Sequence, residues 1–171
     1  MLLKEVFSKN ELLIIENDLF QQLKNTGWYN LADIRKTNYD LEQMSYGNIG
    51  SKSVSSEVKN ILRKKLVQID KNNYQYDFHA AYQIWDIGSG CCIHSDEDRP
   101  FVATFYLNKE WNVDYGGLYV YIEDDDYKVI IPTYNTGIYY NSENLHSVTQ
   151  VTHLAKEKRY TIHLRGNHIN C

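Results

Sequence analysis

At 171 residues, 43% hydrophobic, 23% charged and with a formal net charge of −4, the chain has the make-up of one ordinary globular domain with a core of its own. No run approaches the ~18 apolar residues of a membrane span, and no Lys/Arg block supplies the phosphate contacts a nucleic acid needs, so membrane and nucleic-acid partners are not expected. The opening "MLLKEVFSKN" lacks a basic region followed by a long apolar stretch, and Cys91, Cys92 and Cys171 are too few for a disulfide framework. A cytoplasmic protein with free thiols is expected.

Ser8 and Glu11 have the spacing of a capping box, and Leu12, Leu13, Ile15, Leu19, Phe20 and Leu23 follow at helical intervals, predicting a first helix. From about Thr37 to Ser53 the chain is polar and reads as loop with one short strand. "SSEVKNILRKKLVQID" predicts a second, amphipathic helix, capped by Ser55 or Ser56, with Val58, Ile61, Leu62, Leu66 and Ile69 on one face. After residue 73 the character changes: "YQYDFHAAYQIWDIG", "FVATFYLN", "GLYVYIED", "YKVIIPTY", "GIYYNS", "HSVTQVT" and "RYTIHLRG" are short, β-branched and aromatic, and separated by turn signals. Strands with no helices between them cannot build a parallel βαβ sheet. The expected fold is mainly β with flanking N-terminal helices: a jelly roll over residues 73–171, supported by a helical region over 1–72, as a single domain 1–171. The 15 tyrosines suit such strands and bring uncharged hydroxyls to a pocket wall.

Within "CCIHSDEDRP", His94 and Asp96 are two apart, so on a strand they point to one face and can reach one metal ion. The best third candidate is His146 in "NSENLHSVTQV", 52 residues later. Two histidines and a carboxylate form the facial triad of non-haem Fe(II) oxygenases, with open positions for cosubstrate and O₂. Asp98 competes with Asp96, but a two-residue offset keeps both ligands adjacent on one strand; Glu97 and Asp98 read as solvated turn charges. H-x-D alone also fits a polar turn, with His94 at the surface and Asp96 capping the chain. Structural zinc needs four ligands, usually from two separated pairs, and Cys91, Cys92 and His94 have no second pair. The cysteines read as small buried strand residues, with Cys92 on the face of His94 and Asp96 by period two.

The order of features resembles the Fe(II)/2-oxoglutarate-dependent dioxygenases, most closely their prolyl 4-hydroxylase-like branch. The resembling stretch runs from about Tyr82 to Leu164. It contains Gly88 six residues before His94, then H-S-D, "FVATFYLN", "WNVDYGGLYVY" with its Gly-Gly pair, Pro132 opening a strand, "IYYNSENLHSVTQV" and "KRYTIHL". The resemblance implies a double-stranded β-helix (cupin-like jelly roll) in which His94, Asp96 and His146 bind Fe(II). It also implies 2-oxoglutarate and O₂ as cosubstrates, ascorbate as a reductant, and hydroxylation of an unactivated C–H of a peptidyl prolyl residue or a free amino acid. Relatives that halogenate replace the carboxylate with a small residue, so the intact Asp96 favours hydroxylation.

The cosubstrate's far carboxylate would pair with Arg159, since "R-Y-T-I" matches the family's "R-Y-S-L" and a guanidinium grips a carboxylate through two parallel hydrogen bonds. Arg159 stands thirteen residues after His146 where about ten is usual, a difference that a longer hairpin loop "THLAKEK" absorbs. Lys156 and Arg165 are the alternatives. The family often carries a tyrosine where this chain has Trp85, read here as a core aromatic, so Tyr106, Thr104 or Tyr82 would supply the hydroxyl. His163 shares the face of Arg159 but reads more simply as a core or surface histidine, like His79, His153 and His168. "EDDDYK", "WNVDY" and the segment Asn38–Ser53 are candidates for the pocket mouth. Two rival readings use no 2-oxoglutarate: a cupin-type metal dioxygenase or isomerase, and a non-catalytic jelly roll that binds ligands on its tyrosines. The partner is a small molecule or a peptide; the sequence is silent on oligomeric state.

Overall fold

The computed structural model describes residues 1–31, 45–96, 99–140 and 144–168. The first eight residues of the loop expected from Thr37 to Ser53 lie outside them, as do Glu97, Asp98 and Cys171. Both helices begin where capping chemistry starts them. Ser8 and Glu11 form the reciprocal capping box of α1 (Lys9–Lys24). Leu12, Ile15 and Leu19 are buried, whereas Leu13, Phe20 and Leu23 are exposed, so α1 covers a narrower stripe than the six positions expected. Ser55, not Ser56, caps α2 (Ser56–Ile69) by accepting from the Val58 N–H. Val58, Leu62 and Leu66 are fully buried, with Ile61 and Ile69 at the margin.

The strands are β1 (Leu2–Leu3), β2 (Tyr29–Asn30), β3 (Ser45–Tyr46), β4 (Ile49–Ser53), β5 (Asp77–Trp85), β6 (Gly90–His94), β7 (Val102–Tyr106), β8 (Tyr119–Glu123), β9 (Asp126–Ile130), β10 (Gly137–Tyr140), β11 (His146–Val148) and β12 (Arg159–Asn167). They form a seven-stranded sheet, β1-β10-β7-β12-β5-β4-β2, and a five-stranded sheet, β3-β6-β11-β8-β9. Neighbours in both are antiparallel, the expected jelly roll. The first 72 residues are more than helical support, because β1 to β4 extend both sheets. Pro132 ends a strand region rather than opening one: β9 stops at Ile130 and β10 starts at Gly137, as suits a residue with no N–H for the ladder. "EDDDYK" is the exposed tip of the β8–β9 hairpin, where Asp124 (φ 52°) and Asp125 (φ 64°) take the two left-handed positions of a primed two-residue turn.

Strand alternation divides the large sheet into two faces. Phe78, Ala80 and Tyr82 of β5, Ala103 and Phe105 of β7, and Ile162 and Leu164 of β12 pack against the buried stripes of α1 and α2. The residues between them in sequence turn toward the small sheet. Among the described residues no helix is long and apolar enough to cross a membrane.

Candidate metal centre and anion cradle

His94 ends β6, Asp96 follows it, and His146 begins β11, directly opposite His94 across the antiparallel pair. One ligand atom from each lies within 4.8 Å of the others. Both imidazoles carry their Nδ1 against a backbone carbonyl: His94 on Cys92 O at 2.8 Å and His146 on Asn144 O at 2.9 Å. A ring that donates from Nδ1 keeps its Nε2 lone pair for a metal. Asp96 turns Oδ2 toward His146 Nε2, 3.5 Å away. Burial works against its ionisation, but the Arg165 guanidinium, together with His163, His146 and His94 wherever they are protonated, holds the carboxyl below the usual carboxylate range. Burial also lowers the pKa of His146, which favours the neutral ligand form. Burial opposes a charge on His94 too, but the Cys91 thiol, the Cys92 carbonyl and Asp96 leave its pKa above the ordinary value.

The period-two reading of the cysteines fails here. His146 pairs with His94 while Val148 pairs with Cys91, so two steps along β11 match three along β6. This bulge carries an extra residue and breaks the alternation. Cys91, not Cys92, turns inward, with its Sγ 3.6 Å from His94 Nδ1, and Cys92 is exposed.

The triad opens into a cleft of about 480 Å³ including its mouth, whose far wall is the inner face of the large sheet. Arg159 lies there with 1% of its surface exposed. Its guanidinium sits 5.1 Å from the Trp85 ring and 5.3 Å from the Tyr106 ring. No carboxylate pairs with it among the described residues, and burial pushes its pKa down to about 10. Among the described residues, the buried side-chain polar atoms without a hydrogen-bond partner are Trp85 Nε1, Tyr106 Oη, Arg159 Nε and Thr161 Oγ1. All four lie on this one face, on three adjacent strands, with Arg159 paired to Trp85 and Thr161 to Tyr106. Each can donate a hydrogen bond, and each costs about 1–3 kcal/mol while unmade. Trp85 and Arg159 line the cleft itself, with Tyr106 and Thr161 beside them on the same face, and a buried guanidinium so flanked fits an anionic group with several acceptor oxygens.

The wall behind the cradle is built by the glycine pair. Gly117 has φ +61°, and a Cβ there would stand 2.6 Å from Arg159 Cδ. "WNVDY" braces this turn rather than lining the cleft, through Trp111 Nε1 donating to Gly116 O at 2.9 Å.

Other candidates fall elsewhere. Lys156 is exposed in the connection between β11 and β12, and that connection takes up the longer spacing to Arg159. Tyr82 faces the helices, donating to Asp18 Oδ2 at 2.8 Å, so it contributes no hydroxyl to the cleft. Thr104 lines the cleft, with Oγ1 3.0 Å from His163 Nδ1. His163 and Arg165 also line it, although His163 read as a plain core or surface residue. His79, His153 and His168 are exposed. The sequence reading missed Tyr119 and Tyr140, whose rings lie 5.3 and 5.0 Å from that of His146. It also missed Thr161, which period two from Arg159 would have found, and the indole N–H of Trp85, which only strand pairing brings beside Arg159.

The 2OG-Fe(II) oxygenase superfamily matches residues 80–164. The fold is similar along almost the whole chain to a Pseudomonas putida prolyl-4-hydroxylase: TM-score 0.76, 12% identity, 99% of this chain and 92% of that one covered. It is also similar to a Trichoplax adhaerens prolyl hydroxylase in complex with a hypoxia inducible factor oxygen degradation domain peptide fragment (TM-score 0.77, 15% identity, 98% and 83% covered). A non-haem α-ketoglutarate-dependent carbocyclase of nogalamycin biosynthesis resembles it as well (TM-score 0.69, 8% identity, 97% and 78% covered). No curated protein matches the sequence. The chain belongs to the 2OG-Fe(II) oxygenase superfamily. It is a 2-oxoglutarate-dependent dioxygenase, which removes the cupin-type and purely ligand-binding readings.

Proposed function

We propose that this enzyme hydroxylates an unactivated C–H bond, of a peptidyl prolyl residue or a free amino acid, with His94, Asp96 and His146 holding Fe(II). The observation that carries the reading is the pairing of two half-sites in one cleft: a two-imidazole, one-carboxylate donor set, and a buried guanidinium beside unpartnered donors. Fe(II), when bound, supplies the activation of O₂ by which 2-oxoglutarate is decarboxylated and the C–H bond oxidised.

The chain's own residues do the rest. His94 and His146 present Nε2, and Asp96 presents Oδ2. Arg159 takes the far carboxylate of 2-oxoglutarate, Tyr106 donates its hydroxyl beside it, and Thr104 lines the same wall. The indole of Trp85 offers an N–H where the resembling family offers a phenol. Tyr119, Tyr140 and Val148 keep water from the metal-facing side. The peptide bound to the Trichoplax adhaerens enzyme supports a peptidyl substrate.

The test is anaerobic titration with Fe(II) and 2-oxoglutarate, followed by the visible charge-transfer band of the chelate. The band is expected in the native protein and absent in Asp96→Ala. Admission of O₂ with proline peptides or free amino acids then yields succinate. A native protein that forms no band, or an Asp96→Ala variant that forms it undiminished, refutes the proposal.

A further inference from the structure

Asp96 lies just past the end of β6, with no strand pairing of its own. Its two oxygens nevertheless face different partners. Oδ2 looks to His146 Nε2 at 3.5 Å and accepts from the Tyr140 hydroxyl at 3.1 Å. Oδ1 looks the other way, to Arg165 Nη2 at 3.6 Å. The carboxylate itself is almost buried, with 8% of its side chain exposed.

Arg165 comes from β12, at the centre of the large sheet, between β7 and β5. Its Nε donates to His163 Nε2 at 3.1 Å. A ring nitrogen that accepts carries no proton, so His163 is the neutral Nδ1–H tautomer. That N–H then donates to Thr104 Oγ1, 3.0 Å away on β7, directly opposite His163 in the register. Each bond dictates the direction of the next: Thr104 orients His163, His163 orients Arg165, and Arg165 meets the outer oxygen of Asp96.

We propose that Arg165 is a positioning residue for the metal site, holding Asp96 as a one-oxygen ligand through a Thr104–His163–Arg165 chain anchored in the large sheet. The proposal rests on the metal-site reading above. With Oδ1 engaged by the guanidinium, Asp96 does not fold over to give both oxygens to the ion. The coordination positions needed by 2-oxoglutarate and O₂ then stay open. The chain also ties a ligand in a connection of the small sheet to the most enclosed strand of the large one. Outer partners of this kind orient ligands and set metal affinity.

The experiment loads the native protein, Arg165→Gln, Arg165→Lys and His163→Phe with Zn(II). It measures the metal's dissociation constant by chelator competition and the aspartate carboxylate stretches by isotope-edited infrared difference spectroscopy. Arg165→Gln is expected to bind Zn(II) about 10–100-fold more weakly, with the splitting between its carboxylate stretches narrowed toward the two-oxygen mode. Arg165→Lys keeps a charge but loses the fork that reaches both His163 and Asp96, so it should recover only part of the affinity. His163→Phe keeps the ring and removes both nitrogens, and should shift the stretches in the same direction as Arg165→Gln. Native affinity and native splitting in Arg165→Gln and His163→Phe would overturn this inference while leaving the metal site standing. A native protein that binds no metal at these residues would overturn both.

Discussion

The large sheet carries two fully buried tyrosines that differ in one respect. Tyr82, on the helix side, donates its one hydroxyl proton to Asp18 Oδ2 at 2.8 Å, with Ile15 O also 3.2 Å away, so its hydroxyl is spoken for. Tyr106, on the cleft side, is equally buried, and its hydroxyl makes no hydrogen bond of good geometry although the Arg159 side chain lies beside it. The contrast extends to the whole sheet. On the helix side Phe78, Ala80, Phe105, Ile162 and Leu164 make an apolar layer. On the cleft side Gln83, Trp85, Thr104, Arg159 and Thr161 are buried polar groups, and all the unpartnered buried side-chain atoms found among the described residues belong to this face. Period two lets one set of strands do both jobs, because each residue's neighbour in sequence serves the opposite face. One face lowers the free energy of folding; the other holds unmet hydrogen bonds ready for a ligand, at a cost the first must offset.

Substitutions on the two faces should therefore separate stability from ligand binding. Phe105→Ala removes a fully buried ring from the helix side and should cost about 3–5 kcal/mol of folding free energy, read by chemical denaturation. Arg159→Met should leave that free energy unchanged or raised, since it removes a buried cation without a carboxylate partner. The same change should weaken 2-oxoglutarate binding to the metal-loaded protein by about 2–5 kcal/mol in calorimetric titration. An Arg159→Met variant as unstable as Phe105→Ala would break the division between the faces.

Gly117→Ala probes whether the cleft face depends on the small sheet behind it. A side chain at φ +61° costs about 1–2 kcal/mol, and its Cβ must push Arg159 aside. The expected signature is a 2-oxoglutarate affinity that falls by more than the stability does; equal losses would mean that the guanidinium does not move. The smallest effects are expected from the tyrosines themselves. Tyr82→Phe should lose about 1 kcal/mol of stability with cosubstrate affinity intact, whereas Tyr106→Phe should keep its stability and bind 2-oxoglutarate more weakly. If the two variants behave alike, the contrast between the faces does not extend to their hydroxyls.

Much of this was legible in the sequence. Ser8, Glu11 and Ser55 announced both helices, because capping is chemistry within three residues. Turn residues and β-branched, aromatic runs marked the strands after residue 73. The order of His94, Asp96, His146 and Arg159 pointed to one site, and these residues do line one cleft. Other features were not legible. The short strands β1 to β3 have two residues each, too few to show a period.

What the sequence by itself determined, then, is which residues alternate and which segments turn, since those depend on neighbours along the chain. Only the tertiary structure decided which neighbour across the sheet each one meets. It turned Cys91 inward in place of Cys92, through a bulge that exists only in the pairing of β6 with β11. It set Trp85 against Arg159, sent Tyr82 to the helices, and brought Arg165 to Asp96, 69 positions earlier in the sequence. Register and bulges are settled by the packing of whole strands, and no local pattern carries that information.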